Sequence, residues 1–271
     1  MKDEYSLEAE VYDKIWGKYD YDIDIRFLDK LFKKNKSKKV IDIGCGTGNH
    51  AIRLSKLGYE ITGVDVSSTM LEKARGKTKE AKVRFIHGDM RKLNEIISQD
   101  EKFDAAICLG SVSFHLITNE DVQTFLKGLY KILKENGLFI CDARNAKKIS
   151  EDHLNKLTVE HVINEKKNQL LVLAYSTRSK EDRNVIAWRP IFLMNDNGKI
   201  DFQIREHKFK WADFSNWRKL LIANGFELLS TQSGPTEEEF DEERHEAMWF
   251  VARTLKVLKH QHKQDVLAEN L

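Results

Sequence analysis

Short apolar runs alternate with amphipathic stretches over the first half of the chain. Residues 39–43, 60–66, 83–87, 103–109 and 138–142 each read as a strand, the first as a short apolar run with β-branched residues. After Asp104 the run 103–109 is wholly apolar, which suits a central strand buried on both faces. The intervening stretches put their apolar residues on one side of a helix. These are Ala51, Ile52, Leu54 and Leu57; then Met70, Leu71 and Ala74 within 67–79; then Val122, Phe125, Leu126, Leu129, Ile132 and Leu133 within 121–134. Ser67 and Ser68 suit a helix start, and Gly58 and Gly137 end helices. Strand–helix alternation of this kind predicts an α/β fold with a doubly wound sheet.

Both flanks depart from that rhythm. Residues 1–36 hold Tyr5, Tyr12, Trp16, Tyr19 and Tyr21 among many charges, then Ile23, Phe27, Leu28, Leu31 and Phe32 at helical spacing. They predict an N-terminal helical cap of one or two helices, whose aromatic residues either pack on the core or close over a ligand. From 146 to 208 the pattern turns extended, with segments 159–163, 170–177, 185–194 and 199–208. Asn195-Asp196-Asn197-Gly198 is a hairpin turn between the last two. This inserted antiparallel sheet is expected to lie over the cleft, with Trp188, Arg189 and His207 as candidates to face it, strand packing being the alternative for each. Residues 213–224 resume helix, Gly225 caps it, and 226–231 and 247–255 are strands around a solvated acidic loop at 236–246. The chain thus divides into a cap (1–36), a core (37–145 and 209–256), an insert (146–208) and a polar tail (257–271).

Charge and composition narrow the function. The 271 residues carry 45 basic and 43 acidic side chains, a formal +2, so there is no electrostatic push toward nucleic acid. No apolar run is long enough to span a bilayer and no leader-like start is seen, so a cytoplasmic chain without membrane contact is expected. Cys45, Cys108 and Cys141 lack C-x-x-C spacing and read as reduced buried thiols, and no metal site is expected.

Candidate chemistry gathers between Lys38 and Val66. The first strand opens into Gly44, Gly46 and Gly48, a helix follows, and the second strand ends on Asp65. Glycines admit positive φ and close approach of a ligand, while a helix N-terminus offers unpaired amides to a carboxylate or phosphate. Asp65 stands where a carboxylate accepts both hydroxyls of a ribose. The unit therefore binds a nucleoside, either a dinucleotide or S-adenosylmethionine. Asn49 occupies the sixth position of G-x-G-x-x-G, where a dinucleotide needs glycine or alanine. Asp42, leading into the loop, is a poor neighbour for a pyrophosphate and a natural one for a sulfonium or an amino group.

The string Asp42-Ile43-Gly44-Cys45-Gly46-Thr47-Gly48, with Asp65 at its distance, resembles motif I of the class I S-adenosylmethionine-dependent methyltransferases. The resemblance implies a Rossmann-like, seven-stranded sheet whose last strand inserts antiparallel between the fifth and sixth. It implies that Gly44, Cys45, Gly46 and Gly48 lie under the methionine part of S-adenosyl-L-methionine, and that Asp65, with Val66 and Met70 beyond it, binds the ribose side. By the same resemblance Asp89 takes the adenine amino group and Met90 packs near the ring, a turn carboxylate being the alternative for Asp89. Leu109 and Gly110 line the cofactor after the fourth strand. Tyr12 and Tyr21 are the tyrosines assigned to the methionine end.

The loop Gly110-Ser111-Val112-Ser113-Phe114-His115 should face the methyl group. It lacks the N-P-P-Y or D-P-P-Y tetrapeptide of enzymes acting on nucleobase or glutamine amino groups, so such targets are disfavoured. Loops at 107–116 and 142–145 are similar to those of glycine and sarcosine N-methyltransferases, which implies that Arg144 holds a substrate carboxylate, a salt bridge being its other reading. Ser111 stands where those enzymes place an asparagine. His115 is the candidate catalytic base, and Ser111, His115, Arg144 and Trp188 are the candidate acceptor residues. Tyr130 and Lys134 spell Y-x-x-x-K, the acid/base pair of short-chain dehydrogenases, on a helix expected to end away from the cleft; the match reads as coincidence. The expected activity is transfer of a methyl group to a small-molecule acceptor, nitrogen before oxygen, with S-adenosyl-L-homocysteine as product. O-methylation, RNA methylation and non-catalytic cofactor binding are the alternatives, and a homodimer is left open.

Overall fold

The computed structural model describes residues 5–78, 82–164 and 168–256. The tail 257–271 and the last residue of the expected helix 67–79 lie outside the described residues. Two helices, α1 (Ser6–Trp16) and α2 (Tyr21–Lys34), precede β1 (Lys39–Ile43). There follow α3 (Asn49–Lys56), β2 (Glu60–Asp65), α4 (Ser68–Lys77) and β3 (Val83–His87). A 3-10 turn (Met90–Lys92) runs into α5 (Leu93–Ile96), then β4 (Phe103–Cys108), a second 3-10 turn (Val112–His115), α6 (Asn119–Ile132) and β5 (Leu133–Arg144). The insert contributes β6 (Leu157–Asn164), β7 (Asn168–Arg178), β8 (Val185–Asp196), β9 (Lys199–Ile204) and β10 (His207–Lys210). The chain returns through α7 (Phe214–Ala223), β11 (Phe226–Gln232) and β12 (Ala247–Thr254).

The main sheet runs β11-β12-β5-β4-β1-β2-β3. Only β12 is antiparallel, pairing with both β5 and β11, as expected of the seven-stranded sheet. Both faces are covered. On one side Phe125, Leu126 and Leu129 of α6 and Leu221 of α7 pack with Ile41, Ala106 and Phe139. On the other, Leu28 and Phe32 of α2 and Leu54 of α3 pack with Val40, Ile107 and Ile140. Double-sided burial is why the central strand β4 is a continuous apolar run after Asp104 rather than an alternating one.

Two boundaries differ from the sequence reading. Helix α6 starts at Asn119, because Thr118 and Asp121 form a reciprocal capping box in which each side chain accepts the other's amide at 3.0 Å. It ends at Ile132, and Leu133 already pairs with Phe103. The register then jumps to Ala105↔Leu138, and Asn136 takes a φ of 58° in the extra residues. Gly137 therefore belongs to a bulged strand and does not end a helix. Segment 199–208 is also two strands. Strand β9 pairs with residues 191–196 of β8 and β10 with residues 185–188. Pro190 lies between the two, with no amide to offer the ladder.

The second sheet is ordered β10-β8-β7-β6 with β9 also on β8. Helix α1 covers its inner face, where Val11 packs with Leu170, Val172 and Phe192. Asn197 and Gly198, with φ of 52° and 88°, make the left-handed pair that a two-residue hairpin turn requires.

Candidate functional site

The C-terminal ends of β1, β2, β4 and β5 converge on one edge of the main sheet. Gly44, Gly46 and Gly48 all have positive φ, at 69°, 52° and 80°. A Cβ on Gly44 would lie 2.4 Å from the Val112 side chain, so this glycine admits the loop that follows β4. A Cβ on Gly46 would meet nothing within 4 Å, leaving that stretch of backbone open on one side. Gly48 is the N-cap of α3 and provides no side chain to its first amides. Asp65 accepts the amides of Gly46 at 2.7 Å and Ser67 at 2.8 Å, which fixes its carboxylate against the loop. Asp42 is 2 % exposed, and its Oδ2 has no hydrogen-bond partner among the described residues. Burial pushes its pKa up to about 6, with the charge of Asp65 acting in the same direction.

The remaining residues of the expected cofactor set lie around this loop. Cys45 is buried, and burial raises its thiol well above the usual value. Val66 is exposed beside His87, whose Nε2 is 2.8 Å from the Val66 carbonyl, while Met70 is buried on α4. Asp89 caps the Met90–Lys92 turn and is ion-paired with Arg91 at 2.6 Å; Met90 is half-buried against the core. Leu109 is buried, and Gly110 and Ser111 follow with φ of 79° and 68°. That left-handed pair aims the Ser111 amide at the Asp142 carboxylate, 3.0 Å away. Desolvation pushes Asp142 up to about 6 as well. Tyr12 is desolvated beside Tyr21, Asp65 and Asp13, all of which hold its hydroxyl protonated. Tyr21 is buried edge-on to His50 at 5.0 Å, with the Arg53 guanidinium 4.9 Å from its ring.

Two features here were not anticipated. Asp13 of α1 accepts from Thr47 Oγ1 at 2.7 Å, from Asn49 at 3.2 Å and from Lys77 at 2.9 Å, which clasps the N-terminal helix over the glycine loop. Beneath it, Asp24 of α2 is 2.8 Å from His50 Nε2 and accepts the Tyr19 hydroxyl at 2.8 Å, with Asp24 2 % exposed. The position of His50 two residues past Gly48, on a helix otherwise facing the core, was the available signal.

A second group meets beside the loop after β4. His115 Nδ1 is 3.4 Å from the Tyr5 hydroxyl, and its ring is 5.3 Å from Phe209. Desolvation, reinforced by nearby His207, lowers the His115 pKa to about 4. Tyr5 stacks on His207 at 5.3 Å, and His207 Nε2 lies 3.0 Å from Glu8 Oε1. Glu8 Oε2 is buried without a partner among the described residues. Trp188 closes the group at 5.7 Å from His207 and 5.6 Å from Phe209. Trp188 and His207 thus face inward, while Arg189, one position on, points to the opposite side of the sheet, where it meets Glu206 at 2.7 Å and Thr177 at 2.9 Å. Arg144 is ion-paired with Glu246, its guanidinium 5.9 Å from the Trp211 ring. Tyr130 donates to the Leu255 carbonyl at 2.8 Å and Lys134 pairs with Asp104 at 2.7 Å, so the Y-x-x-x-K pair is engaged elsewhere. A cleft of about 400 Å³ lined by Leu116, Thr118, Asp182, Asn184, Lys210 and Trp217 contains none of the glycine-loop residues. The described residues hold no cluster of three or more metal-ligating side chains, and no described helix is long and apolar enough to cross a membrane.

The chain is similar to known methyltransferases in sequence and in fold. Residues 40–137 match the family described as a methyltransferase domain. Over 121 residues the chain is 40% identical to a glycine/sarcosine N-methyltransferase of Aphanothece halophytica, a match covering 44% of this chain and 45% of that protein. The chain thus spans about half the length of that relative. It is 28% identical over 254 residues to a putative methyltransferase of Geobacillus sp. (strain WCH70), covering 92% of this chain and 99% of the other. The fold is that of an S-adenosylmethionine-dependent methyltransferase from Clostridium acetobutylicum ATCC 824, with a TM-score of 0.78 at 20% identity, over 93% of this chain and 99% of that one.

Proposed function

We propose that this chain, a class I S-adenosylmethionine-dependent methyltransferase, methylates a nitrogen of a small amine held between the turn after β4 and the inner face of the second sheet. The cofactor, S-adenosyl-L-methionine, fits two observations: the unpartnered buried oxygen of Asp42 suits an ammonium, and the open backbone at Gly46 suits a ligand lying on the loop. It supplies a methyl carbon already activated by a positive sulfur and leaves as S-adenosyl-L-homocysteine. The protein's task is then alignment and exclusion of water.

Residue by residue, the reading assigns Asp42 and the loop from Gly44 to Gly48, Cys45 included, to the methionine end. Asp65 takes the ribose hydroxyls while keeping its two amide bonds, with Val66 and Met70 alongside. Asp89 and Met90 take the adenine, and Leu109 and Gly110 line the reacting end. Tyr12 and Tyr21 close the cleft from above, held there by the clasp at Asp13.

The observation that carries the amine reading is the group of Tyr5, Glu8, His115 and His207 inside an aromatic wall. A buried carboxylate oxygen without a partner among aromatic rings favours a ligand that donates N–H or carries positive charge. With its pKa near 4, His115 is neutral above about pH 5. It can accept a hydrogen bond from the acceptor nitrogen and orient its lone pair, whereas a free amine arises by loss of a proton to water on entry. Ser111 and Trp188 border the same space. Arg144 receives an acceptor carboxylate only by releasing Glu246, so amines without an acidic group fit more simply than glycine.

The test is methyl transfer from labelled cofactor across amines, hydroxylated analogues and glycine, with wild type and Glu8→Gln. An amine product is expected, with Glu8→Gln raising KM for the amine about tenfold or more and leaving KM for the cofactor unchanged. Label on oxygen, or preferential turnover of glycine, overturns the acceptor assignment.

A further inference from the structure

The insert sheet has two apolar faces, and among the described residues only one is covered. Along β7, Leu170, Val172 and Ala174 are buried toward α1, so Leu171, Leu173 and Tyr175 point the other way. Strand pairing extends that outer set across the sheet. One rung reads Val162, Leu171, Leu193, Phe202; the next reads Val159, Leu173, Ile191, Ile204. Leu157 beside Tyr175 and Ile200 beside Asn195 extend the patch at its two ends. The edge positions are strongly exposed: Leu157 58%, Val159 64%, Val162 67%, Ile200 76%, Phe202 62% and Ile204 55%. Charge is confined to the rim, where Arg189 pairs with Glu206.

The size of this surface decides how it should be read. At about 175 Å² per fully exposed side chain of this kind, these six and Tyr175 alone present about 700 Å² of largely apolar area. That exceeds the roughly 300–600 Å² of the largest patch on a typical monomer. Two such faces pressed together bury about 1,400 Å², within the roughly 1,200–2,000 Å² of a stable, specific interface.

We propose that this face is the interface of a homodimer, in which the outer faces of two insert sheets pack about a twofold axis as a β-sandwich. A second copy matches the patch in extent, in lack of charge and in polar rim, which is what an interface between identical surfaces requires. Facing sheets about 10 Å apart interleave their side chains, so the exposed rows of β6 and β9 gain the covering that the inner rows have from α1. The inner face, with Trp188 and His207, stays free for the acceptor, and the inference does not depend on what that acceptor is.

Sedimentation and light scattering of the full chain across a concentration series test it. Wild type is expected at twice the 31.6 kDa chain mass at micromolar concentration. The double variant Val162→Glu/Phe202→Glu should be monomeric, with at least a hundredfold weaker self-association and unchanged binding of S-adenosyl-L-homocysteine. Both positions are exposed in the single chain, so folding is spared, and far-UV circular dichroism checks this. A wild type that is monomeric throughout overturns the proposal. So does a dimer that survives both substitutions, or binding of the wild type to lipid vesicles in place of self-association.

Discussion

Two carboxylates at the glycine loop have opposite standing. Asp65 is supplied with amide donors and half-exposed, whereas Asp42 is buried with one oxygen unpartnered. Asp65→Ala is expected to weaken S-adenosyl-L-homocysteine binding at least tenfold by calorimetry, because it removes the loop's anchor and, on the proposed reading, the sugar acceptor, about 1.5–3 kcal/mol for charge-assisted bonds. Retained affinity would refute the sugar role. Asp42 yields a pH prediction. Its folded pKa, about 6, lies above the ordinary carboxylate value, so the folded state binds more protons than the unfolded one in that window. Its contribution is fully present below about pH 4 and is lost as pH rises through 6. Ligand-free Asp42→Asn should therefore gain thermal stability relative to wild type between pH 4.5 and 7. Bound ammonium favours the ionised form, so wild-type affinity for S-adenosyl-L-homocysteine should climb across pH 6 while that of Asp42→Asn stays flat. Parallel curves would show that the Asp42 oxygen does not meet the ammonium.

Among the elements, the glycine turn separates backbone demand from ligand demand. Gly44→Ala carries a positive-φ penalty and drives a Cβ into Val112, so a loss of about 2–4 kcal/mol in denaturant unfolding is expected. Gly46→Ala carries only the conformational cost, about 1–2 kcal/mol, since its Cβ meets nothing. Yet Gly46→Ala should weaken cofactor binding severely, because the methyl group fills the space beside the loop. Equal stability losses for the two would contradict the packing described. Thr118→Ala, which dismantles the α6 capping box, should cost about 1 kcal/mol in the same assay.

At the level of the whole molecule, α1 couples the two sheets. Asp13 holds it to the glycine loop, Val11 packs under the insert, and Tyr5 and Glu8 meet His115 and His207. Val11→Asp buries a charge at that junction and should lower the unfolding free energy by about 3 kcal/mol or more. It should also raise KM for both cofactor and acceptor and open the 17–20 link to limited proteolysis. An acceptor-only effect would mean that α1 serves one sheet alone.

What could be read from the chain alone was local. Apolar, β-branched runs between helical stretches located β1 and β3 to the residue, although β3 is an edge strand that keeps Arg84 and His87 exposed. The G-x-G-x-G turn was legible because positive φ favours glycine, and Asp65 because it ends the next strand. Boundaries set by pairing were not legible: the bulge in β5 depends on the register against β4, and the split of β9 from β10 on which part of β8 each meets. The partnerships of Asp13 with Thr47, Asp24 with His50 and Glu8 with His207 also needed the fold, since each joins residues from 26 to 199 positions apart. The sequence by itself determined most strand and helix segments and the glycine-rich turn, since these follow from side-chain period and backbone freedom. Only the tertiary structure decided which side chains meet across the cleft and which sheet face is left uncovered, because those depend on register and on what packs above each layer.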